Sequence, residues 1–425
     1  MPDVRLLTLA VPALLASSLL AAPAHADVTN RNVLPFGERA AFLGNAGITS
    51  QRGDAVFYNP ANLARIGHPN LSVSANVYAV VDLKADAILV IDGEDQPFEA
   101  SGFLSIPSTL VSTYQFGGWS VATAVLVPEA ISLKNRISFD SETLHATLLQ
   151  EDEAESLYLG AGVAREIAPG LTAGASVFVA KEDVTQLYFF RSEVDGDPLQ
   201  VAEFTNNTDS TVFNLTAIAG MHWQATPQLG IGARAHVPPI RVTGSADVYQ
   251  AVLVPGDAMN TTEGEWEDVD VSAPLPWDLG VGFSYKASPT LELLADLNVQ
   301  LPDTLTTFDE PDIPEIGTVR VDTKLAPRLG VGAEWRMLSQ AWLRLGAVYN
   351  RSALGQPDTS DDDPQEHFYG VTGGLAWQKD RTHTAVGGFF MRSDADLLVD
   401  GADPPREADA RTLLYGALLT VSYSL

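Results

Sequence analysis

The stretch Leu279–Lys286 reads LGVGFSYK. Leu279, Val281, Phe283 and Tyr285 alternate with Gly280, Gly282, Ser284 and Lys286, giving one apolar face and one small or polar face. A period of two is the pattern of a β-strand. LGVGAEWRM at 329–337 repeats it, with Leu329, Val331, Ala333, Trp335 and Met337 set against Gly330, Gly332, Glu334 and Arg336. The same reading covers 171–179, 213–223, 229–237, 343–349 and the closing run 413–425. In a sandwich the apolar face packs on a core. In a membrane barrel it faces lipid, and the small face lines the lumen. Alternation fits both, so the connections must separate them.

Several strand pairs are joined by very short turns: FGGW at 116–119, APG at 168–170, TPQ at 226–228, ASP at 287–289, LSQ at 338–340 and KDR at 379–381. Between them lie long acidic segments, at 91–100, 151–155, 192–208, 251–270, 301–318, 357–366 and 393–409. A barrel with short turns at one end and long loops at the other sorts its connections in this order, and a sandwich has no reason to. The predicted fold is all-β, an up-and-down antiparallel transmembrane barrel of about fourteen strands. The strands are expected to begin near Leu71, Gly102, Trp119, Glu155, Leu171, Asp209, Leu229, Val269, Thr290, Val321, Ala341, Glu366, Thr382 and Asp409.

Charge follows the same division. The seven acidic segments hold 34 of the 54 Asp and Glu residues and one of the 25 Lys and Arg residues, so the framework is close to neutral and the net charge of −29 belongs to the connections. Nucleic-acid binding requires the opposite sign and is excluded. The acidic loops are expected outside the cell. The densest, DTSDDDPQE at 358–366, lacks the Gly-centred spacing of a calcium loop, and solvated loops are the default for such runs.

At the N-terminus Arg5 precedes an apolar run, then Ala24-His25-Ala26. This reads as a secretory signal peptide over 1–26. No later apolar run is long enough to cross a bilayer as a helix. Cysteine is absent, which removes disulfides and thiolate chemistry. The expected division is a leader at 1–26, an irregular segment at 27–70 and a barrel at 71–425.

The irregular segment contains GERAAFLGNAGITSQRGDAVFYNPANLA. It resembles the N-terminal hatch of the FadL/TodX family of outer-membrane hydrophobic-compound transporters, on Gly37, Arg39, Ala40, Gly44, Ala46, Gly47, Asp54, Tyr58, Asn59, Pro60 and Ala61. The resemblance implies a fourteen-stranded barrel plugged by the hatch. It also implies passive uptake of hydrophobic molecules, such as long-chain fatty acids or neutral hydrocarbons, across the bacterial outer membrane. It further implies lateral release at a kinked third strand, which here runs from about Trp119 to Val127, after Gly117-Gly118 and before Pro128. Phe57, Tyr58 and Leu63 would meet the inner wall or the ligand path, with Pro60 holding the chain extended. Two readings stand for Asn59: a hatch residue satisfying bare backbone groups, or part of a stiff turn that starts the first strand.

No G-x-S-x-G and no H-E-x-x-H occurs, so an enzyme is not expected, nor a cofactor or metal. His222 and His236 fall on lumen-facing positions and read as polar lining. Arg234, Arg336, Arg344 and Glu334 also point inward. Pairing within the wall or with the hatch is the favoured reading, and a carboxylate clamp for a fatty acid is the other. The expected partners are small hydrophobic molecules, outer-membrane lipid and lipopolysaccharide, and the expected state is a monomer. The segments at 192–208 and 251–270 are acidic rather than apolar, unlike the capture loops of better-known family members, which leaves the substrate open. A plugged scaffold or secretion partner that works through its acidic loops is the alternative function.

Overall fold

A computed structural model describes residues 34–91, 94–104, 108–140, 144–194, 201–254, 260–310, 313, 317–354, 365–398 and 407–425. The expected leader and most of the run 357–366 lie outside these residues. No described helix is long and apolar enough to cross a membrane.

The strands of the first half are β1 (Asn70–Ile91), β2 (Glu94–Leu104), β3 (Ser108–Phe116), β4 (Trp119–Asp140), β5 (Leu144–Ala168), β6 (Leu171–Val194), β7 (Val201–Gln224), β8 (Leu229–His236) and β9 (Ile240–Val254). The second half holds β10 (Asn260–Asp270), β11 (Asp278–Ser288), β12 (Leu291–Gln300), β13 (Asp303–Glu310), β14 (Gly317–Thr323) and β15 (Ala326–Leu338). It ends with β16 (Ala341–Asn350), β17 (His367–Lys379), β18 (Thr382–Leu398) and β19 (Glu407–Ser424). All pairings are antiparallel, and β19 returns to β1 from Asn70↔Ser424 to Ala85↔Ala410, which closes the sheet.

Several strands are two pieces of one wall stave: β2 with β3, β8 with β9, and β10 with β11. β13 and β14 form a separate two-stranded ribbon. Counted as staves, the wall has fourteen. Most expected strand starts fall on these staves or within a residue of them, several of which begin earlier than expected; Val321 instead falls on β14 of the ribbon, and the wall stave there begins at Ala326.

Outward residues carry the apolar band. Leu279, Val281, Phe283 and Tyr285 are exposed, and Gly280, Gly282 and Ser284 are buried on the lumen side. On β7 the band runs from Phe213 to Trp223. At about 3.3 Å per residue and a tilt of about 40°, those ten steps span roughly 25 Å, the height of a lipid-facing band. Phe116, Trp119, Trp223, Tyr285, Trp335, Trp377 and Tyr423 ring the end with the short turns, all exposed. Amphipathic rings of this kind settle at a membrane interface.

The acidic segments differ from the expectation of loops. β5, β6 and β7 are 25, 24 and 24 residues long, against about 9–11 for a membrane crossing. Residues 151–155 therefore lie inside β5, and much of 192–208, 251–270 and 393–409 lies inside β6, β7, β9, β10, β18 and β19. Ladder bonds continue above the apolar band because an antiparallel pair needs no lipid to keep its register. The outer face there is free to be charged, as where Lys134 on β4 pairs with Glu151 and Glu153 on β5.

Residues 34–69 pack inside the barrel. They form a 3-10 turn at Ala40–Phe42, a short helix at Ala55–Tyr58 and a 3-10 helix at Pro60–Arg65. Phe36, Val56, Phe57, Tyr58, Leu63 and Ile66 share one buried cluster with Val111, Leu126, Tyr158, Phe178 and Ile218 of the wall, while Leu34 and Phe42 pack in a second with Phe368, Phe389 and Leu414.

Candidate functional site

The N-terminal segment is held first by itself. Gly37 has φ +91°, and a Cβ there would lie 2.6 Å from Asp54 Cβ, so both conformation and space require glycine. The turn it permits brings the Arg39 and Ala40 N–H groups onto Asp54 Oδ2 at 2.9 and 3.1 Å, while Ser50 Oγ donates to Oδ1 at 2.8 Å. Burial, with the nearby Glu38 charge, pushes the Asp54 carboxyl above its ordinary range against these three bonds. Tyr58 lies over Gly47 and donates to Phe36 O at 3.1 Å.

The segment is then tied to the wall on several sides. Glu38 accepts from Ser72 on β1 (2.8 Å) and Ser422 on β19 (2.7 Å), with Arg52 and His383 close by. Burial raises the Glu38 carboxyl, but Arg52, Ser422, His383 and Ser72 together hold it below its ordinary value. Arg39 pairs with Glu292 on β12 (2.7 Å) and Glu334 on β15 (3.0 Å). Ile48 N–H donates to Asp296 at 2.7 Å, and Gly44 N–H to Thr372 at 2.9 Å. Gly44, at φ +64°, sits against the Ala347 backbone, where a Cβ would be 2.2 Å from the carbonyl oxygen.

Wall glycines complete the seat. A Cβ at Gly220 would lie 2.0 Å from Asn59 Oδ1, and one at Gly174 would lie 2.6 Å from the Pro60 carbonyl carbon. The small face of the alternating strands is therefore occupied by the N-terminal segment.

The Asn59 side chain meets backbone groups of the segment and of the wall. Fully buried, it donates through Nδ2 to Ile48 O (2.9 Å) and Met221 O (3.0 Å), and its Oδ1 accepts from Ala61 N (3.2 Å). Pro60 differs from expectation. Asn59 itself is extended, at φ −162°, and Pro60 opens the 3-10 helix. Proline suits a first helical position because its missing N–H would be unpaired there anyway.

Of the arginines singled out, Arg234 binds Asp278 (2.9 Å) and Asn298 (3.2 Å), and Arg344 binds Glu334 (2.6 Å). Arg336 is exposed at the short-turn rim, donating to Pro289 O. The three do not converge, and the wall-pairing reading describes Arg234 and Arg344. His236 bonds Thr216 at 2.7 Å, whereas His222 pairs in register with Gly232, so the two histidines are not neighbours.

A small cavity lies beside the segment. Phe57, Pro128, Tyr158, Val237, Leu275 and Pro276 give it an apolar lining, and Ser156, His236, Asp278, Gln300 and Arg328 a polar one. Its free volume is about 40 Å³, room for about three waters. Leu63 is buried in the apolar cluster and does not border the cavity.

At Pro128 the wall is irregular. The β4–β5 register shifts between Leu126 and Glu129, and the β1–β19 register shifts between Asn76 and Ala79. Gly117 and Gly118 form the positive-φ turn at the far end of the same strand and take no part.

A closed fourteen-stave wall around an N-terminal segment invites comparison with solved barrels. A FadL homologue from Pseudomonas aeruginosa superposes with a TM-score of 0.63 at 14% identity, covering 93% of this chain and 98% of that one. The fold is that of the FadL and TodX channels. The Pseudomonas putida toluene transporter TodX gives 0.65 at 13% identity, over 92% and 98% of the two chains. The Ralstonia pickettii toluene transporter TbuX gives 0.60 at 16%, over 93% and 99%. No protein-family model and no curated protein matches the sequence.

Sequence reasoning missed Tyr158, Leu275, Pro276, Asp278, Gln300 and Arg328. Of the residues singled out in the sequence, Phe57, Pro128 and His236 border the cavity.

Proposed function

We propose that this chain is a passive outer-membrane channel for small hydrophobic molecules, with residues 34–69 acting as its hatch and release occurring sideways through the wall. One observation carries the reading: a single cavity touches both Phe57 of that segment and Pro128 at the wall irregularity. A molecule held there has the segment on one side and a weakened seam on the other. With room for only about three waters, the cavity is too small at rest for a hydrocarbon, and passage requires Phe57 or its neighbours to move.

The short-turn end would face the periplasm and the acidic extensions the exterior. Arg234 and Arg328 are already engaged by the Asp278 carboxylate, so a fatty carboxylate would have to displace an existing ion pair. That favours a neutral hydrocarbon over an ionised acid.

The test is uptake by a Gram-negative host lacking its own hydrophobic-compound channel, supplied with oleate or with toluene. Faster entry than in an empty-vector host supports the channel, and the faster compound names the class. Equal entry for both compounds overturns it.

A further inference from the structure

Further round the wall from Pro128 lies a longer interruption. β9 pairs with β10 from Val254↔Asn260 to Ser245↔Asp270, and β8 pairs with β11 from His236↔Asp278 to Leu229↔Tyr285. Residues 237–244 and 271–277 connect these ladders in nearly continuous register. Yet among the described residues no backbone hydrogen bond joins the two segments. At about 3.3 Å per residue the unpaired seam is roughly 20–25 Å long.

Its two edges behave differently. Ile240 to Thr243 keep only their pairing with β7, from Leu215↔Ile240 to Phe213↔Thr243, and Ile240 and Val242 are each 66% exposed. Residues 271–277 turn inward instead. Asn214 donates to Ala273 O at 3.2 Å, Ser272 N–H donates to Thr307 O at 2.8 Å, and Leu275 and Pro276 line the cavity with Val237.

An open strand edge is costly beside lipid. Pro238, Pro239, Pro274 and Pro276 lower that cost by removing four N–H donors that would otherwise be bare. The seam lies at the top of the apolar band, where Leu215 and Trp277 are exposed. Above it, Phe308 of the β13–β14 ribbon packs with Val212, Val248 and Val271 and fills the inner face along which a molecule would descend from the mouth.

We propose that this seam is a second lateral port, through which uncharged apolar molecules dissolved in the outer leaflet reach the cavity, with residues 271–277 as its shutter. The proposal rests on the channel reading above and adds an entrance in the plane of the membrane. Its lining is apolar from Ile240 and Val242 to Val237, Leu275 and Pro276. Arg241, the cation beside it, is held by Asp270 at the upper end.

Because the chain has no cysteine, an Ile240→Cys/Trp277→Cys pair joined by a short bis-methanethiosulfonate bridges the seam alone and reversibly. The full-length protein in liposomes is exposed to a lipid-dissolved aryl diazirine, and labelling of Tyr158 is read by mass spectrometry beside toluene uptake in cells. Bridging is expected to lower both by about tenfold, with recovery on reduction. A Val242→Trp variant, which leaves the seam uncrosslinked and thickens its outer edge without bordering the cavity, is expected to act in the same direction. Labelling and uptake that persist in the fully bridged protein and in Val242→Trp overturn the port while leaving the channel standing. Wild-type protein that neither labels at Tyr158 nor speeds uptake sinks both.

Discussion

Replacing Asn59 by alanine tests whether the N-terminal segment is a docked unit whose hold on the wall is set by a few buried polar contacts. The side chain makes three hydrogen bonds, to Ile48 O, Met221 O and Ala61 N–H, and is fully buried. Each bond contributes about 1 kcal/mol net, and leaving the Ala61 N–H bare adds to the loss, for a total of about 3–4 kcal/mol. Ile48 O keeps a second donor, Asn62 Nδ2 at 2.8 Å, so the lower figure is the safer one. A loss of that size raises the undocked population by about two to three powers of ten. The wall ladders are untouched, so the effect is local. Hydrogen exchange followed by mass spectrometry on the full-length protein in detergent reads it directly. Peptides over 55–65 should exchange faster by about the same factor, with β5 and β6 unchanged. If 55–65 in Asn59→Ala exchanges within about threefold of wild type, the docking account is wrong.

Four further outcomes follow from the same contacts. Gly220→Ala places a methyl 2.0 Å from Asn59 Oδ1, and should raise exchange in 55–65 as Asn59→Ala does, because the Asn59 amide must leave its hydrogen bonds to make room. Glu334→Gln leaves the buried Arg39 and Arg344 short of a counter-charge and should cost about 3–5 kcal/mol in urea unfolding, whereas Arg336→Gln, exposed at the rim, should stay within about 0.5 kcal/mol. Because Glu38 is held below its ordinary value of 4.5, its contribution to docking is present above that value and lost as pH falls through the lower folded one. Planar-bilayer current should therefore grow more bursty as Glu38 protonates, and Glu38→Gln should abolish that acid-induced rise. Asp54, raised first by burial and then by Glu38, acts with the opposite sign and tightens docking as it protonates; in Glu38→Gln only the burial cause remains, so the current should become no burstier and at most slightly quieter on acidification.

The barrel was legible because its signal is repeated. Many staves show the apolar alternation seen at Leu279–Tyr285, though Thr382–Arg392 alternates less cleanly, and six tight turns mark one end. The wall above the lipid was not legible, since EDEAE at 151–155 has no apolar face and a solvated ladder imposes none. The seat of the N-terminal segment was legible as glycines and as a motif, but not as contacts. Gly37 announces a left-handed turn, yet nothing local says that it serves Asp54, seventeen positions later. The cavity was least legible. Asp278, Gln300 and Arg328 come from three neighbouring staves, and only the register Asp278↔Gln300 and Asn298↔Arg328 brings them to one level.

The two sides of the N-terminal segment are bound by different chemistry, and this bears on how it can open. Around Glu38, Arg39 and Gly44 ion pairs and hydrogen bonds add to the apolar packing of Phe42 and Leu43. Around Val56, Phe57 and Leu63 the hold is apolar, against Phe178 and Ile218. Undocking the polar side would strand buried charges, at several kcal/mol for each broken pair. Moving Phe57 sacrifices apolar contact that an apolar ligand restores at about 25 cal/mol per Å². A hydrophobic molecule is therefore the one kind of ligand that lowers the cost of the movement it needs. The segment is expected to yield at Phe57 with its Glu38 and Arg39 anchors in place. An Arg39→Met variant that transports toluene as wild type does fits this hinge, provided exchange in 55–65 still rises when toluene is added. Loss of the toluene-induced rise in wild type itself would end the argument.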